Sequence, residues 1–148
     1  MSNVVPQFHS FNDGHWGDLE EWIAGRKPPH ATADNFIHGW ADELGEVWVV
    51  VGPVFEEELD PLPSGIPVPS AFFCIVVDEL AGGQPRALAF IMPHEDTRVD
   101  ELTGFLTNVD EVEQRAGLDF FHALPDSVEN SMESARATNL WPLPTPPN

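Results

Sequence analysis

The chain has 148 residues, 42% of them hydrophobic, which predicts one domain that buries about two-thirds of its unfolded surface. Six Lys and Arg residues against 25 Asp and Glu residues give a net charge of −19, which disfavours binding of nucleic-acid phosphates by basic side chains. The single cysteine, Cys74, excludes an internal disulfide and is expected to be a small buried side chain, since it lies in an apolar run.

The first helix is predicted to follow an amide-containing opening segment. Trp16, Leu19 and Ile23 are spaced at i, i+3 and i+7, which predicts one buried stripe on this helix. Asn12 or Asp13 can cap its amino end. No membrane span is visible here or later in the chain, and the compartment cannot be read from the sequence.

The middle of the chain is predicted to supply a second helical piece and three strands. Residues 25–35 are expected to form an exposed insertion that breaks the first helix, and residues 36–44 a helical piece closed by Gly45. The continuous apolar run at residues 47–51 predicts a central strand buried on both faces. Residues 72–77 and 87–92 predict an antiparallel hairpin. The acidic, proline-containing loop at residues 56–69 has no fixed ligand spacing, so no metal is assigned to it.

The last third of the chain is predicted to contain a short edge strand, residues 102–107, and two helices. Asn108 with Glu111 three residues later is typical of a helix start, and Gly117 of its end. A last helix begins at Pro125, with its acidic side chains facing solvent. Residues 138–148 read as a Pro-rich tail. Strands and helices mixed in this way, with at least one hairpin, predict an α+β domain.

The opening residues also carry a family resemblance. Residues 2–20 fit the pattern S-N-x-x-P-Q…N-x-G-x-W-x-x-L-E, which resembles the central motif of the DNA/RNA non-specific endonucleases. These are the ββα-metal nucleases that include the mitochondrial endonuclease G type. Later matching stretches extend the resemblance to about Ser134: residues 47–55, 66–69, 72–73, 89–93 and 117–121.

The resemblance implies a fold, an activity and a cofactor. The fold would be a mostly antiparallel central sheet flanked by helices, ββα-metal nuclease-like and incomplete at its amino end. The activity would be metal-dependent hydrolysis of phosphodiester bonds in DNA and RNA without sequence specificity, with Mg²⁺ or Mn²⁺. Residues 1–137 would form the partial nuclease domain, and residues 138–148 its tail.

The resemblance also implies a general-base histidine in an Asp-Arg-Gly-His segment upstream of the motif, which this sequence does not contain. We therefore expect that histidine to come from residues before Met1 or from another chain. The partners expected for this chain, besides DNA and RNA, are a complementing amino-terminal fragment or a second copy in a homodimer. Within the chain, Asp13-Gly14-His15 resembles the end of that segment, but it lies inside the helix motif.

By the same resemblance, Asn12 is the metal ligand, Glu20 is the catalytic carboxylate, and Asn3 and Gln7 bind substrate. Mg²⁺ prefers oxygen ligands and keeps most of its water, so one amide oxygen from the protein is chemically adequate. Glu20 follows Asn12 by eight residues on the same helix face, and side chains on a helix lean toward its amino end. Glu20 is therefore expected to hold water around the cation without ligating it directly.

Simpler interpretations stand beside these. Asn12 could be only a helix cap, Glu20 an ordinary exposed acid, and Asn3 and Gln7 amides that brace a loop. His9 and His15 lack a third ligand with suitable spacing for a transition metal. The other histidines, His30, His38, His94 and His122, are expected on the surface or in loops. For the whole chain, the alternative is a catalytically inactive nuclease relic or an acidic interaction module.

Overall fold

The computed structural model describes residues 5–25, 38–56, 59–79, 83–95 and 101–142. A four-stranded antiparallel sheet lies at its centre, in the order β1-β2-β3-β4. The strands are β1 (Trp48–Val54), β2 (Ala71–Asp78), β3 (Arg86–Pro93) and β4 (Leu106–Thr107). Helices flank the sheet, so the predicted α+β class with a mostly antiparallel sheet is confirmed.

The hairpin of β2 and β3 forms the middle of the sheet, as the sequence predicts. Its register runs from Ala71 opposite Pro93 to Asp78 opposite Arg86. Every residue of β2 is buried, because both faces of this strand are covered. At the turn end of the hairpin the Arg86 guanidinium donates to the buried Asp78 carboxylate at 2.9 Å, which neutralises that charge.

Successive side chains of β2 divide the core into two layers, as the period of a strand requires. On what we call the front face, Phe72, Cys74 and Val76 pack against α1 (His9–Phe11), α2 (Gly17–Ala24) and α3 (Trp40–Leu44). On the back face, Phe73, Ile75 and Val77 pack against α4 (Val109–Ala116) and α5 (Asp126–Glu133). Cys74 is buried and unpaired, as predicted.

The first helical segment begins earlier than the sequence indicates. α1 leads through a π-helical turn, Asn12–Trp16, into α2, and we call this run from residue 9 to 24 the site helix. Asn12 has helical backbone angles (φ −64°, ψ −41°), so the expectation that it caps the helix is wrong, since a cap residue lies outside the helix with extended angles. The kink falls instead at Gly14, whose φ −103° and ψ −124° are not helical.

The prediction of a central strand at residues 47–51 is wrong in one respect. β1 is a strand, but it pairs only with β2 in the described chain and lies at the sheet edge. Trp48, Val49 and Val51 are 57%, 43% and 54% exposed. An apolar run indicates a strand, whereas burial on both faces depends on what the rest of the fold places above and below it.

The carboxy-terminal third follows its local signals with one exception. The Asn108 side chain accepts a hydrogen bond from the Glu111 N–H at 3.1 Å and caps α4, which ends at Gly117 in the left-handed region (φ 67°). The predicted edge strand is a 3₁₀ turn, Leu102–Phe105, followed by the two residues of β4. Glu133 at the end of α5 is buried, so the expectation that every acid of this helix faces solvent is wrong.

The segment expected to be a tail contributes one core residue. Trp141 is buried on the front face, and its carbonyl accepts a hydrogen bond from the indole N–H of Trp40 at 3.0 Å. Arg86 stacks on the Trp141 ring, 4.6 Å from its centre. Within the described residues, no helix has the length and apolar character that crossing a bilayer would need.

Candidate metal and nucleic-acid site

The site helix is held on the front face by its buried side. Phe11, Trp16 and Leu19 are at most 6% exposed and contact the front face of β2. The Phe11 ring lies 5.3 Å from the Phe72 ring, and the Trp16 ring 5.7 Å from it. Asn12 and Glu20, four residues before and four residues after Trp16, are themselves exposed to solvent.

The amino end of the site helix is fixed by His94. This histidine lies in the loop after β3, within the expected surface or loop placement, but it is buried, at 3% exposed. Its Nε2 accepts the Phe8 N–H at 2.7 Å, and its Nδ1 lies 2.9 Å from the Pro69 carbonyl, which can only accept. The ring is therefore neutral with its proton on Nδ1, and both nitrogens are engaged. His94 is an anchor between helix and sheet, and it does not serve as a base.

The kink brings two helical turns close together next to Asn12. A Cβ added at Gly17 would lie 2.9 Å from the Asn12 carbonyl oxygen, closer than real Cβ atoms approach backbone. Glycine at position 17 therefore permits the tight π-helical turn after Asn12.

Asn12 itself is exposed and lightly held. Its amide nitrogen lies 3.5 Å from the Asp13 carboxylate, at the limit of a hydrogen bond. Asp13 in turn lies 3.2 Å from Nδ1 of the exposed His9. The amide oxygen of Asn12 is thus available in a polar, solvent-accessible setting.

Glu20 is oriented by a neighbour on its own helix. The indole N–H of Trp16, four residues earlier, donates to Glu20 Oε1 at 3.0 Å. Because the Trp16 ring is itself buried, this hydrogen bond fixes the direction of an otherwise exposed carboxylate. The other carboxylate oxygen of Glu20 makes no hydrogen bond to the described residues, so water or a cation can bind to it. The i, i+4 spacing of Trp16 and Glu20 was a readable signal for this pair.

Two clefts meet at Glu20. The first, of about 500 Å³, is lined by Asn12 and Glu20 together with Asp13, Asp18 and Glu21, and we call it the acidic cleft. The second, of about 880 Å³, is lined by Gln7, Trp16 and Glu20 and by the exposed front side of β1; we call it the apolar cleft. Glu20 thus lines the acidic cleft together with Asn12 and the apolar cleft together with Gln7. Asn3 lies outside the described residues.

The donor set of the acidic cleft suits a hard divalent cation. It consists of one amide oxygen and several carboxylates, and none of the described residues that line it is Lys or Arg. Oxygen ligands of this kind match Mg²⁺ and Mn²⁺, whereas zinc favours nitrogen and sulfur. The same charges repel a phosphate that arrives without a cation.

The remaining described histidines lie apart from Glu20 and Asn12 or are buried. His15 is 9% exposed and its ring packs 5.1 Å from that of Phe105. His38 lies 3.7 Å from the Asp42 carboxylate on α3, and His122 is exposed beyond α4. His30 lies outside the described residues.

Cys74 lines the apolar cleft from below. Burial, and to a smaller extent the negative charge of Glu20, raises the pKa of its thiol to about 12. A thiol with such a pKa is not ionised at neutral pH and is a poor nucleophile. It forms part of the core under the site helix.

Comparison with known proteins supports the resemblance seen in the sequence. The family model described as DNA/RNA non-specific endonuclease matches residues 1–127. The chain is 27% identical over 137 residues to a nuclease of Serratia marcescens, covering 90% of this chain and 47% of that protein. It is 29% identical over 134 residues to the mitochondrial endonuclease G of Bos taurus, and this match covers 81% of this chain and 40% of that protein. The chain therefore spans less than half the length of these relatives.

The fold agrees as well. A solved structure of the EndoG/EndoGI complex matches with a TM-score of 0.59 and 22% sequence identity, over 84% of this chain and 50% of that one. At this sequence identity the structural match shows a shared fold only. Together with the family match over most of its length, it shows that this chain belongs to the DNA/RNA non-specific endonuclease family.

Proposed function

We propose that this chain supplies the metal-binding helix of an endonuclease that hydrolyses phosphodiester bonds in DNA and RNA without sequence specificity. Asn12 holds a Mg²⁺ or Mn²⁺ ion, Glu20 is the catalytic carboxylate beside it, and Gln7 contacts substrate. The observation that carries this proposal is the acidic cleft, where the exposed Asn12 amide lies beside the oriented Glu20 carboxylate. Asn3 keeps the substrate-contacting role that the motif implies.

The charge of the chain is consistent with a cation-dependent activity. The described ionisable side chains that line the acidic cleft are all acids. Their negative charge attracts divalent cations and repels a phosphodiester that has no bound cation. A bound Mg²⁺ would neutralise charge on the phosphate and assist departure of the 3′ oxygen. Glu20, held by Trp16, keeps its second oxygen directed toward the cleft, where it orients water near the Asn12 amide.

A general base completes the proposal from outside the described residues. Relatives more than twice as long as the matched stretch carry the family's activity. We propose that the base histidine belongs to an Asp-Arg-Gly-His segment supplied in the same protein before Met1 or by a complementing amino-terminal fragment. DNA and RNA are the proposed substrates.

Site-specific metal binding tests the role of Asn12. Addition of Mn²⁺ should broaden the amide NMR signals of residues 9–24 first, and Asn12→Ala should weaken this effect at least about tenfold, since the ligand is lost. Asn139→Ala is the matched control, because it removes an exposed amide that, within the described residues, donates to the hydroxyl of Thr138. Equal broadening in the Asn12→Ala and wild-type proteins would remove the metal-ligand assignment.

Activity is tested by nicking of supercoiled plasmid with Mg²⁺. We expect strong cutting only when an Asp-Arg-Gly-His segment is supplied, and loss of that cutting in Asn12→Ala. Robust cutting by the 148-residue chain alone would show that the base lies within it. Cutting that persists in the complemented Asn12→Ala variant would refute the proposed site.

A second candidate function is that of an acidic interaction module without turnover. The net charge of −19 and the exposed apolar side chains of β1 favour it. The complemented nicking assay distinguishes the two candidate functions. An inactive relic would not cut the plasmid even with the base supplied and Mn²⁺ bound.

A further inference from the structure

A second group of carboxylates lies on the back face, away from the site helix. Asp110 and Glu113, three residues apart on α4, face Glu133, the last residue of α5. One oxygen from each residue lies within 4.8 Å of those of the other two. Because α4 and α5 pack on the side of the sheet opposite to Asn12, this group is separate from the acidic cleft.

Glu133 is the member of this group that most needs a partner. It is 7% exposed, and its Oε1 is buried without a hydrogen-bond partner. A buried carboxylate in that state is strongly unfavourable unless it is protonated or meets a cation. Its position at the carboxy end of α5 adds to the cost, since the helix dipole there disfavours negative charge.

The charges around Glu133 are all of the same sign. Glu113 and Asp110 face it from α4, Glu129 from its own helix, and Asp119 from the segment after α4. Burial and these four carboxylates raise the pKa of Glu133 to about 7. At neutral pH the group therefore concentrates negative charge that nothing adjacent offsets within the described structure.

The nearby arginines are engaged elsewhere. Arg115 on α4 forms a salt bridge with Glu56, in which the Arg115 Nε lies 2.9 Å from both carboxylate oxygens. Arg136, just after α5, donates to the Leu106 carbonyl at 3.2 Å. Neither is among the charges that act on Glu133. Among the described residues no cationic side chain offsets the charge of Glu133, and a cation from solution can do so.

We propose that Asp110, Glu113 and Glu133 bind one divalent cation of the size of Ca²⁺. No two of the three oxygens lie more than 4.8 Å apart, which is the largest separation that ligands of one ion can have at a Ca²⁺–oxygen distance of about 2.4 Å. Three carboxylates on one ion are typical of Ca²⁺, whereas Mg²⁺ keeps several waters and is held by one or two carboxylates. The number of carboxylates therefore favours the larger ion.

The ligands are already positioned for this task. One oxygen of Glu113 accepts the Phe120 N–H at 2.6 Å, which fixes its carboxylate, and Asp110 lies in the first turn of α4. Asp110 is exposed and gives an ion a route from solvent. With three carboxylates and water as the other ligands, we expect a dissociation constant of about 10⁻⁴ to 10⁻³ M. The bound ion joins the carboxy end of α5 to α4.

Calorimetric titration and thermal unfolding of chelator-treated protein test the proposal, with CaCl₂ as the probe. We expect one Ca²⁺ per chain at this site and a rise in Tm with Ca²⁺ concentration. Glu133→Gln should abolish both effects while it raises the Tm of the metal-free protein, since it removes the unpartnered charge without changing shape. Asp110→Asn, at an exposed position that leaves the fold intact, should weaken Ca²⁺ binding at least about tenfold.

A control separates this site from the other acids of α4. Glu111→Gln removes the same charge from α4 outside the group and should keep the Ca²⁺ effect on Tm. Absence of any Ca²⁺-dependent rise in Tm would show that the group holds a proton instead of a cation. A rise that persists in both Glu133→Gln and Asp110→Asn would equally overturn the proposal.

Discussion

Of the described glycines, Gly39 is the one where substitution by alanine should lower the stability of the front layer most. It precedes α3, with φ −97° and ψ −177°, so alanine would be unstrained in the backbone itself. The obstacle is space: an added Cβ would lie 2.2 Å from the Gly25 nitrogen, 2.7 Å from the Ile23 carbonyl oxygen and 2.8 Å from the Ala24 carbonyl carbon. All three are backbone atoms at the end of α2, so no side-chain rotation relieves the contact.

The cost of Gly39→Ala follows from this geometry. The two segments must separate by at least 0.8 Å for the shortest contact to reach 3.0 Å, below which real Cβ atoms essentially never occur. Overpacking against fixed backbone costs about 3 kcal/mol, a large part of the roughly 5–15 kcal/mol that stabilises a domain. Urea unfolding followed by tryptophan fluorescence measures it. Gly104→Ala is the control, with no atom within 4 Å of the added Cβ, and should change stability by less than about 0.5 kcal/mol. A similarly small change for Gly39→Ala would refute the packing described for α2 and α3.

Three further predictions concern side chains near the two sites. In a double-mutant cycle of Trp16→Phe and Glu20→Ala, urea unfolding should give a coupling energy of about 0.5–1.5 kcal/mol from the indole–carboxylate hydrogen bond; zero coupling would mean that the bond does not form. The Cys74 thiol should react with iodoacetamide at pH 8 about 1,000-fold more slowly in the folded than in the urea-unfolded chain, because its pKa rises from 9.0 to about 12; equal rates would contradict its burial. Folding raises the pKa of Glu133 from 4.5 to about 7, so with chelator present its contribution to stability is complete below pH 4.5 and falls by about 3 kcal/mol as pH rises through 7. Glu133→Gln should remove that loss in a pH series of urea titrations, and an unchanged pH profile would argue against it.

Elements governed by local chemistry could be predicted from the sequence. The β2–β3 hairpin follows from two apolar runs separated by a turn, and the start of α4 from Asn108 and Glu111. Likewise, Trp16 and Leu19 lie on the buried stripe that their spacing indicates. These signals act over a few residues, so the rest of the fold does not need to be known.

Features set by distant contacts were missed for a physical reason. His94 anchors the amide of Phe8, 86 residues away, and no periodicity marks that pairing. Glu133 reads as an exposed helix acid until α4 is placed against it. The apolar run of β1 predicts a strand correctly, yet its position in the sheet depends on pairing with β2 alone. Within the candidate site, Asn12 and Glu20 were found through the family motif rather than through spacing, and their roles stay predictions.

The hydrogen bond from Trp40 to the Trp141 carbonyl has a consequence for how the protein is made. Its two partners are 101 residues apart, in a chain of 148. Until residue 141 has left the ribosome exit tunnel, the Trp40 indole has no acceptor from that segment, and the front layer of the core stays open. Since contacts across so long a loop form late, this layer should close only after residue 141 has emerged.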